Sequence, residues 1–235
     1  MQPRFVGRLS VADAVTAANA ALGFTAAAAA FITPSLAARL VLLGAIADGL
    51  DGVLARRYGS SEAGPFLDSL ADVATFTVAP ALLTFALARG QWGFDPARLG
   101  AALLVGAAFV AAGVLRLGLY AAYDADDHAT EGVQTTLAAT LLAALLLANA
   151  TTTGTVLWGV SGPAIAVAAT GLLAVGMLLP ITYPDLLAGD ALVLGAVQAF
   201  AVLFPGALNA AFPLALLICA LGYLCFSPWF YWRDD

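Results

Sequence analysis

The sequence predicts an all-α integral membrane protein, a polytopic bundle of six to eight transmembrane helices that forms one domain over residues 1–235. Hydrophobic residues make up 62% of the chain and charged residues only 10%. With a mean hydropathy of +0.95, the chain lacks the polar surface that a soluble domain exposes to water. Long apolar runs support the same fold class, because about 18 apolar residues suffice for one helical crossing.

Six apolar runs reach this length. They cover residues 15–32, 36–54, 70–88, 99–119, 133–150 and 163–180. The first run lacks a convincing small-residue cleavage site, and it contains residues that belong to a motif described below. We therefore expect it to be a helix of the bundle and not a cleaved signal peptide.

Two uncharged stretches are too long for a single crossing. The first, residues 132–184, must turn back near Gly154 or at residues 161–163, where Ser, Gly and Pro follow one another. The second, residues 191–232, is divided by Phe-Pro-Gly at 204–206 into a shorter and a longer segment. With the second helix of each stretch included, the predicted total is eight helices.

The charged residues indicate an orientation and argue against one class of partner. All nine basic residues are arginine, against fifteen Asp and Glu, and this acidic balance does not suit a nucleic-acid partner. A cytoplasmic amino terminus satisfies the positive-inside rule in a multi-pass protein of the cell membrane, and the loops 55–66 and 120–131 then face the cytoplasm. The inner set is Arg4, Arg8, Arg56, Arg57, Arg116 and Arg233, and the outer set is Arg39, Arg89 and Arg98.

Four aspartates lie within or at the edge of the second and third predicted helices. A carboxylate in hydrocarbon costs several kcal/mol unless it has a partner. On the second helix, Asp48 and Asp51 share one face with Gly44, Gly52 and Ala55. The two carboxylates therefore point the same way, flanked by residues with almost no side chain.

The third helix repeats this arrangement with Gly64, Asp68, Asp72 and Thr75. If the two acidic faces meet, the expected counter-charge is one or two divalent cations with oxygen ligands, Mg²⁺ or Mn²⁺. Two such ions bridge a diphosphate and orient an incoming oxygen. The small residues beside the acids leave room for a bulky ligand.

Other functions for intramembrane acids are helix–helix hydrogen bonding and an ion pathway, for example in a divalent-cation transporter. A transporter would need acids from inverted repeats near the middle of the membrane. The four acids here come from adjacent helices near one surface, which favours a catalytic site.

Residues 48–72, DGLDGVLARRYGSSEAGPFLDSLAD, resemble the signature of the CDP-alcohol phosphatidyltransferase family. The family pattern is D-x2-D-G-x2-A-R, a short loop, and then G-x3-D-x3-D. Its fixed residues are all present, as Asp48, Asp51, Gly52, Ala55, Arg56, Gly64, Asp68 and Asp72. The loop between Arg56 and Gly64 has seven residues, one fewer than is usual in the family.

The resemblance implies the family fold, two divalent ions, and a role for each signature residue. The metal ligands would be Asp48, Asp51, Asp68 and Asp72, and Asp72 would also be the general base that takes the proton of the acceptor hydroxyl. The site for the CDP-activated lipid would comprise Asp51, Gly52, Ala55, Arg56 and Gly64. The acceptor oxygen would attack the lipid-bearing phosphorus directly, and CMP would leave.

Two further stretches are similar to the phosphatidylserine synthase branch of the family, which implies L-serine as the small polar alcohol. They are LDSLADVATFTVAPA at 67–81 and VTAANAALGF at 15–24, the latter with Thr16, Asn19 and Gly23 in a T-x2-N-x3-G pattern. The segment RLGLYAAYD, which begins at Arg116, departs from bacterial members. With the acidic composition, this departure resembles archaeal relatives, the archaetidylserine synthases, whose donor is a CDP-activated ether lipid.

Two residues have alternative roles as acceptor ligands. Arg116 either binds the carboxylate of the acceptor or the lipid phosphate, or snorkels to the membrane interface. Thr75 either donates a hydrogen bond to the acceptor or satisfies a backbone carbonyl. Glycerol 3-phosphate and inositol phosphate are alternative acceptors, although their phosphate would call for more basic residues than the chain offers. Membrane lipids surround the bundle, and the resemblance also implies a homodimer.

Overall fold

A computed structural model of the chain describes residues 9–124, 129–148, 160–184 and 186–231. These residues form eight helices, as predicted, together with one pair of short strands. The helices are α1 (Val11–Ala29), α2 (Pro34–Tyr58), α3 (Gly64–Trp92), α4 (Pro96–Leu119), α5 (Thr135–Leu147), α6 (Gly162–Gly176), α7 (Ala188–Leu203) and α8 (Ala211–Phe230). The strands are β1 (Ala129–Glu131) and β2 (Thr182–Pro184).

The length and composition of four helices, α1, α3, α4 and α8, allow them to cross a membrane. Helices α5, α6 and α7 are apolar but shorter. Helix α2 has 25 residues and carries five charged ones, Arg39, Asp48, Asp51, Arg56 and Arg57. In the described part of the chain these four helices meet the length and composition criteria for a crossing, and the all-α polytopic membrane fold is confirmed.

Local sequence signals explain where several helices begin and end. Ser10 and Asp13 form a capping box at the start of α1, each side chain bonded to the other residue's backbone N–H. The carboxylate of Asp95 caps the start of α4. Gly59, at φ +86°, ends α2 in a conformation that residues with a Cβ rarely adopt.

The helix breaks predicted in the uncharged stretches are confirmed where the structure describes those residues. Helix α6 starts at Gly162, after Ser161 and with Pro163 in its first turn. Helix α7 ends at Leu203, immediately before Phe204. The alternative turn at Gly154 falls outside the described residues.

Helix α3 contains a π-helical segment at Val73–Val78, directly after the last aspartate of the signature. A π-turn inserts one extra residue into a helix and is frequent at functional sites. Within this segment Thr77 donates a hydrogen bond to the carbonyl of Val73 at 2.6 Å. No sequence pattern predicted this change of helical period.

Small residues allow α1, α2 and α3 to pack closely. A Cβ on Gly23 would lie 2.6 Å from Thr75 Oγ1, and a Cβ on Gly44 would lie 2.8 Å from Asn19 Oδ1. Neither distance is tolerable, so both glycines are required for this approach of the helices. The same packing sets the position of the α2 aspartates along the helix axis relative to the α3 aspartates.

Hydrogen bonds from two polar side chains hold α7 against α2. Gln198 Nε2 donates to the carbonyl of Leu42 at 2.7 Å, and Arg39 Nε donates to the carbonyl of Val202 at 2.6 Å. Arg39 thereby satisfies a carbonyl in the last turn of α7, which helical bonding leaves without a partner. Both contacts lie in the half of the bundle away from the signature loop.

The strands β1 and β2 form a small antiparallel sheet that the all-α prediction did not include. Thr130 of β1 pairs with Tyr183 of β2. Beyond the strand, the N–H of Gly132 donates to the carbonyl of Ile181 at 2.8 Å. The pair therefore ties the connection between α4 and α5 to the connection between α6 and α7.

Candidate active site

Three carboxylates converge where the end of α2 meets the start of α3. Asp48 of α2 and Asp68 and Asp72 of α3 each offer an oxygen, and these oxygens lie within 4.8 Å of one another. Such an arrangement repels itself unless protons or cations bind between the oxygens. Three hard oxygen ligands from rigid helices are suited to Mg²⁺ or Mn²⁺.

The fourth aspartate, Asp51, is not one of the three acids whose oxygens converge, because its carboxylate points toward α1. Its side chain is only 5% exposed and accepts a hydrogen bond from Thr16 Oγ1 at 2.8 Å. It also interacts electrostatically with Asp48 and Asp68. Thr16 thus orients one carboxylate of the signature, a role that sequence reasoning missed although Thr16 stood in the quoted first-helix pattern.

Asp72 is buried, with 8% of its surface exposed. Its Oδ1 atom is buried, and no hydrogen-bond donor among the described residues reaches it. A buried carboxylate oxygen without a donor is costly, and a bound cation would satisfy it. The donor set and this oxygen together fit a divalent ion.

A cavity of about 270 Å³ opens beside the carboxylates, close to the lower end of the range for small-molecule sites. Asp68 and Asp72 contribute to its lining. Across from them it is lined by polar side chains from three further segments, including Arg116, Thr130, Gln134 and Thr136. Thr136 also lies beside the carboxylate of Asp48. Thr130, Gln134 and Thr136 belong to no motif, and sequence reasoning did not identify them as site residues.

Arg116, in the last turn of α4, turns into this cavity. It is 7% exposed, interacts electrostatically with Asp72, and donates a hydrogen bond from Nη2 to Thr130 Oγ1 at 2.9 Å. Its guanidinium also lies over the ring of Tyr120, 5.5 Å from the centroid. This burial and the electrostatic interaction with Asp72 favour the acceptor-binding role of Arg116 over snorkelling to the interface.

The residues expected to bind the nucleotide lie around the loop between α2 and α3. Arg56 is exposed near the end of α2, and a Cβ on Gly52 would lie 3.6 Å from its Nη1. Ala55 is half-buried on the same helix. A Cβ on Gly64 would lie 3.2 Å from Asp13 Oδ1, so Gly64 lets the start of α3 pack on α1.

Thr75 does not line the cavity. It is fully buried and donates a hydrogen bond from Oγ1 to the backbone carbonyl of Asn19 at 2.8 Å. This contact matches the second of the two roles considered for Thr75, in which its hydroxyl satisfies a backbone carbonyl. Its hydroxyl joins α3 to α1 beneath the carboxylates.

Comparisons with known proteins agree with this geometry. The sequence model of the CDP-alcohol phosphatidyltransferase family matches residues 9–179, which include all of the signature and the cavity residues named above. Strand β2 and helices α7 and α8 follow the matched segment. A curated CDP-diacylglycerol--serine O-phosphatidyltransferase of Helicobacter pylori (strain J99) is 36% identical over 115 residues. That match covers 48% of this chain and 46% of the relative, so the chain matches about half the length of that protein.

Proposed function

The chain belongs to the CDP-alcohol phosphatidyltransferase family, and we propose that it transfers the phosphatidyl-type group of a CDP-activated lipid to L-serine, with release of CMP. The observation that carries this proposal is the position of Arg116 across a small cavity from Asp68 and Asp72. The cation proposed to bind the acceptor and two of the carboxylates proposed to bind metal thus line one cavity.

We propose that Asp48, Asp51, Asp68 and Asp72 hold two divalent ions, Mg²⁺ or Mn²⁺. When bound, these ions neutralise the diphosphate of the donor and the charge that develops on CMP. The convergence of the carboxylate oxygens and the buried Oδ1 of Asp72 support this assignment. Arg56 would bind the diphosphate, and Gly52, Ala55 and Gly64 would let the nucleotide approach the helices.

The chemical step would be a direct displacement at phosphorus. The serine hydroxyl oxygen forms a bond to the lipid-bearing phosphorus, and the bond from that phosphorus to the oxygen of CMP breaks. Asp72 accepts the hydroxyl proton as the new bond forms. No covalent intermediate with the protein is required, because one cavity next to the acids can hold the acceptor.

The choice of serine depends on the charge of the cavity. Among the described residues that line it, Arg116 is the one cation. A single guanidinium matches the carboxylate of serine, whereas the dianionic phosphate of glycerol 3-phosphate or inositol phosphate would call for additional cations. The activity printed in the name of the Helicobacter pylori relative supports the same acceptor.

The lipid, the orientation and the assembly are further parts of this proposal. An ether-linked, archaetidyl-type donor is supported by the acidic, lysine-free composition. A cytoplasmic active site is supported by the positive-inside rule, since Arg56 and Arg57 lie in the last turn of α2 and Arg116 lies in the last turn of α4. A homodimer is supported by the family resemblance alone.

An acceptor screen tests the proposed function. Purified protein in detergent would receive Mn²⁺, a CDP-activated lipid in ester or ether form, and L-serine, glycerol 3-phosphate or inositol phosphate. We expect CMP release with L-serine and faster turnover of the ether lipid. CMP release with a phosphorylated acceptor alone would leave the reaction class standing and refute serine.

A further inference from the structure

The placement of Arg116 depends on a part of the chain far from the signature. Building on the proposed function, we infer that Thr130 is a positioning residue, which holds the guanidinium of Arg116 toward the acceptor through the pairing of β1 with β2. The acceptor side of the cavity would then be set by the C-terminal third of the chain as well as by α4.

The first step in this inference is the contact between the two side chains. Arg116 Nη2 donates to Thr130 Oγ1 at 2.9 Å, and Thr130 is 4% exposed. The guanidinium is planar, and its five N–H groups have fixed directions, so fixing one nitrogen directs the others. The ring of Tyr120 adds a second restraint on the plane of the group.

The second step is the support of Thr130 itself. Thr130 pairs with Tyr183, and beyond it the N–H of Val133 donates to the carbonyl of Gly176 at 3.0 Å. Gly132 adopts φ +75°, and a Cβ there would lie 2.9 Å from the carbonyl carbon of Met177. The backbone on both sides of Thr130 is therefore fixed against the segment that follows α6.

The third step links this segment to α8. The rings of Tyr183 and Tyr223 lie 6.2 Å apart between centroids, and Tyr223 donates a hydrogen bond from its hydroxyl to the carbonyl of Pro184 at 2.5 Å. Both β2 and Tyr223 follow the segment that matches the family. The support of Arg116 thus includes residues that the family match does not cover.

The substitution Thr130→Val separates positioning from folding. It removes the oxygen that accepts from Arg116 but keeps a β-branched side chain of similar volume in the strand. We expect the KM for the acceptor to rise about tenfold, since a hydrogen bond to a charged group is lost, while the KM for the CDP-lipid changes less than about twofold. Thr130→Ser keeps the oxygen and should restore the KM for the acceptor.

A smaller effect is expected from Tyr223→Phe, which keeps the ring and removes the hydroxyl that bonds to the carbonyl of Pro184. The KM for the acceptor should rise about threefold in the same direction. Thr25→Val is the matched control, because the hydroxyl of Thr25 bonds only within its own helix, to the carbonyl of Ala21 at 2.8 Å. The control should leave both KM values unchanged.

The experiment is a steady-state assay of CMP release in which acceptor and CDP-lipid are varied separately for each variant. A loss of folded protein lowers the maximal rate but leaves KM unchanged. The ratio of the acceptor KM to the CDP-lipid KM therefore reports on positioning. An unchanged acceptor KM in Thr130→Val, or an equal rise for donor and acceptor, would overturn the inference while the proposed function stands. If the wild type uses another acceptor, serine transfer fails, and the same KM ratio for that acceptor decides the role of Thr130.

Discussion

The two sides of the proposed active site are built in different ways. The carboxylate side comes from one continuous segment, residues 48–72, in which two helices joined by a short loop bring Asp48 next to Asp68 and Asp72. The acceptor side comes from α4, β1 and the start of α5, and β2 supports it. A local segment supplies the proposed phosphate chemistry, whereas contacts between distant segments shape the proposed acceptor site.

This difference separates the expected effects of substitution. Changes on the carboxylate side should impair every reaction that the protein catalyses, because the proposed metal ions, donor phosphate and base would lie there. Changes on the acceptor side should alter which alcohol is used and how tightly it binds, with little effect on the donor. The following predictions test this division.

The largest effect is expected for Asp72→Asn, which removes the proposed base but keeps the size of the side chain. Turnover should fall about 10²–10⁴-fold, in line with the usual contribution of a general base. Binding of the CDP-lipid, measured by equilibrium titration, should be largely kept. Asp95→Asn is the control, because Asn also caps a helix and Asp95 lies at the far end of α4. Full activity in Asp72→Asn would remove this residue from the mechanism.

The next effect is expected for Arg116→Gln on the acceptor side. The KM for serine should rise about 10–100-fold through loss of a charge-assisted contact, and the KM for the CDP-lipid should change little. Arg116→Lys should lie between this variant and the wild type, since it keeps the charge but not the planar fork. Arg98→Gln, at an exposed site near the start of α4, is the control. An increase confined to the KM for the CDP-lipid would contradict the assignment of Arg116 to the acceptor side.

A smaller effect on the carboxylate side is expected for Thr16→Val. This change leaves a buried carboxylate, that of Asp51, without the hydrogen bond that orients it. The Mn²⁺ concentration that gives half-maximal activity should rise about tenfold. Thr16→Ser should behave as the wild type. If Thr16→Val instead raised only the serine KM, the assignment of α1 to the carboxylate side would be wrong.

The smallest effect is expected for Gln198→Leu, which lies on neither side of the site. Its hydrogen bond to the carbonyl of Leu42 joins α7 to α2, and such bonds between membrane helices contribute about 0.6 kcal/mol on average. The thermal unfolding midpoint in detergent should fall slightly, and both KM values should be unchanged. A large loss of activity would show that α7 contributes to the site.

The sequence predicted the helical membrane fold and the family, and it did so from composition and one motif. The helix count followed because Gly and Pro mark breaks in long apolar runs, as at Gly162 and Pro163. The strand pair was missed because Ala129–Glu131 and Thr182–Pro184 lie far apart in the sequence and lack strand periodicity.

For the site, helical spacing predicted that Asp68 and Asp72 share a face, and their carboxylates do lie together. It could not predict that Asp51 turns toward Thr16 or that Thr130 reaches Arg116, because these contacts join different elements. Thr75 shows that helical spacing can also fail to predict the contacts of a residue on α3. The π-helical segment changes the period after Asp72, and the hydroxyl of Thr75 bonds to the backbone of α1.

The central claim is that Asp48, Asp68 and Asp72 bring α2 and α3 together around divalent ions. Mn²⁺ binding, followed by the electron paramagnetic resonance signal of the free ion with CDP present, tests it most directly. The proposed site predicts two bound ions per chain, loss of at least one in Asp48→Asn and in Asp68→Asn, and unchanged binding in Asp95→Asn. Equal Mn²⁺ binding by the wild type, Asp48→Asn and Asp68→Asn would contradict the claim.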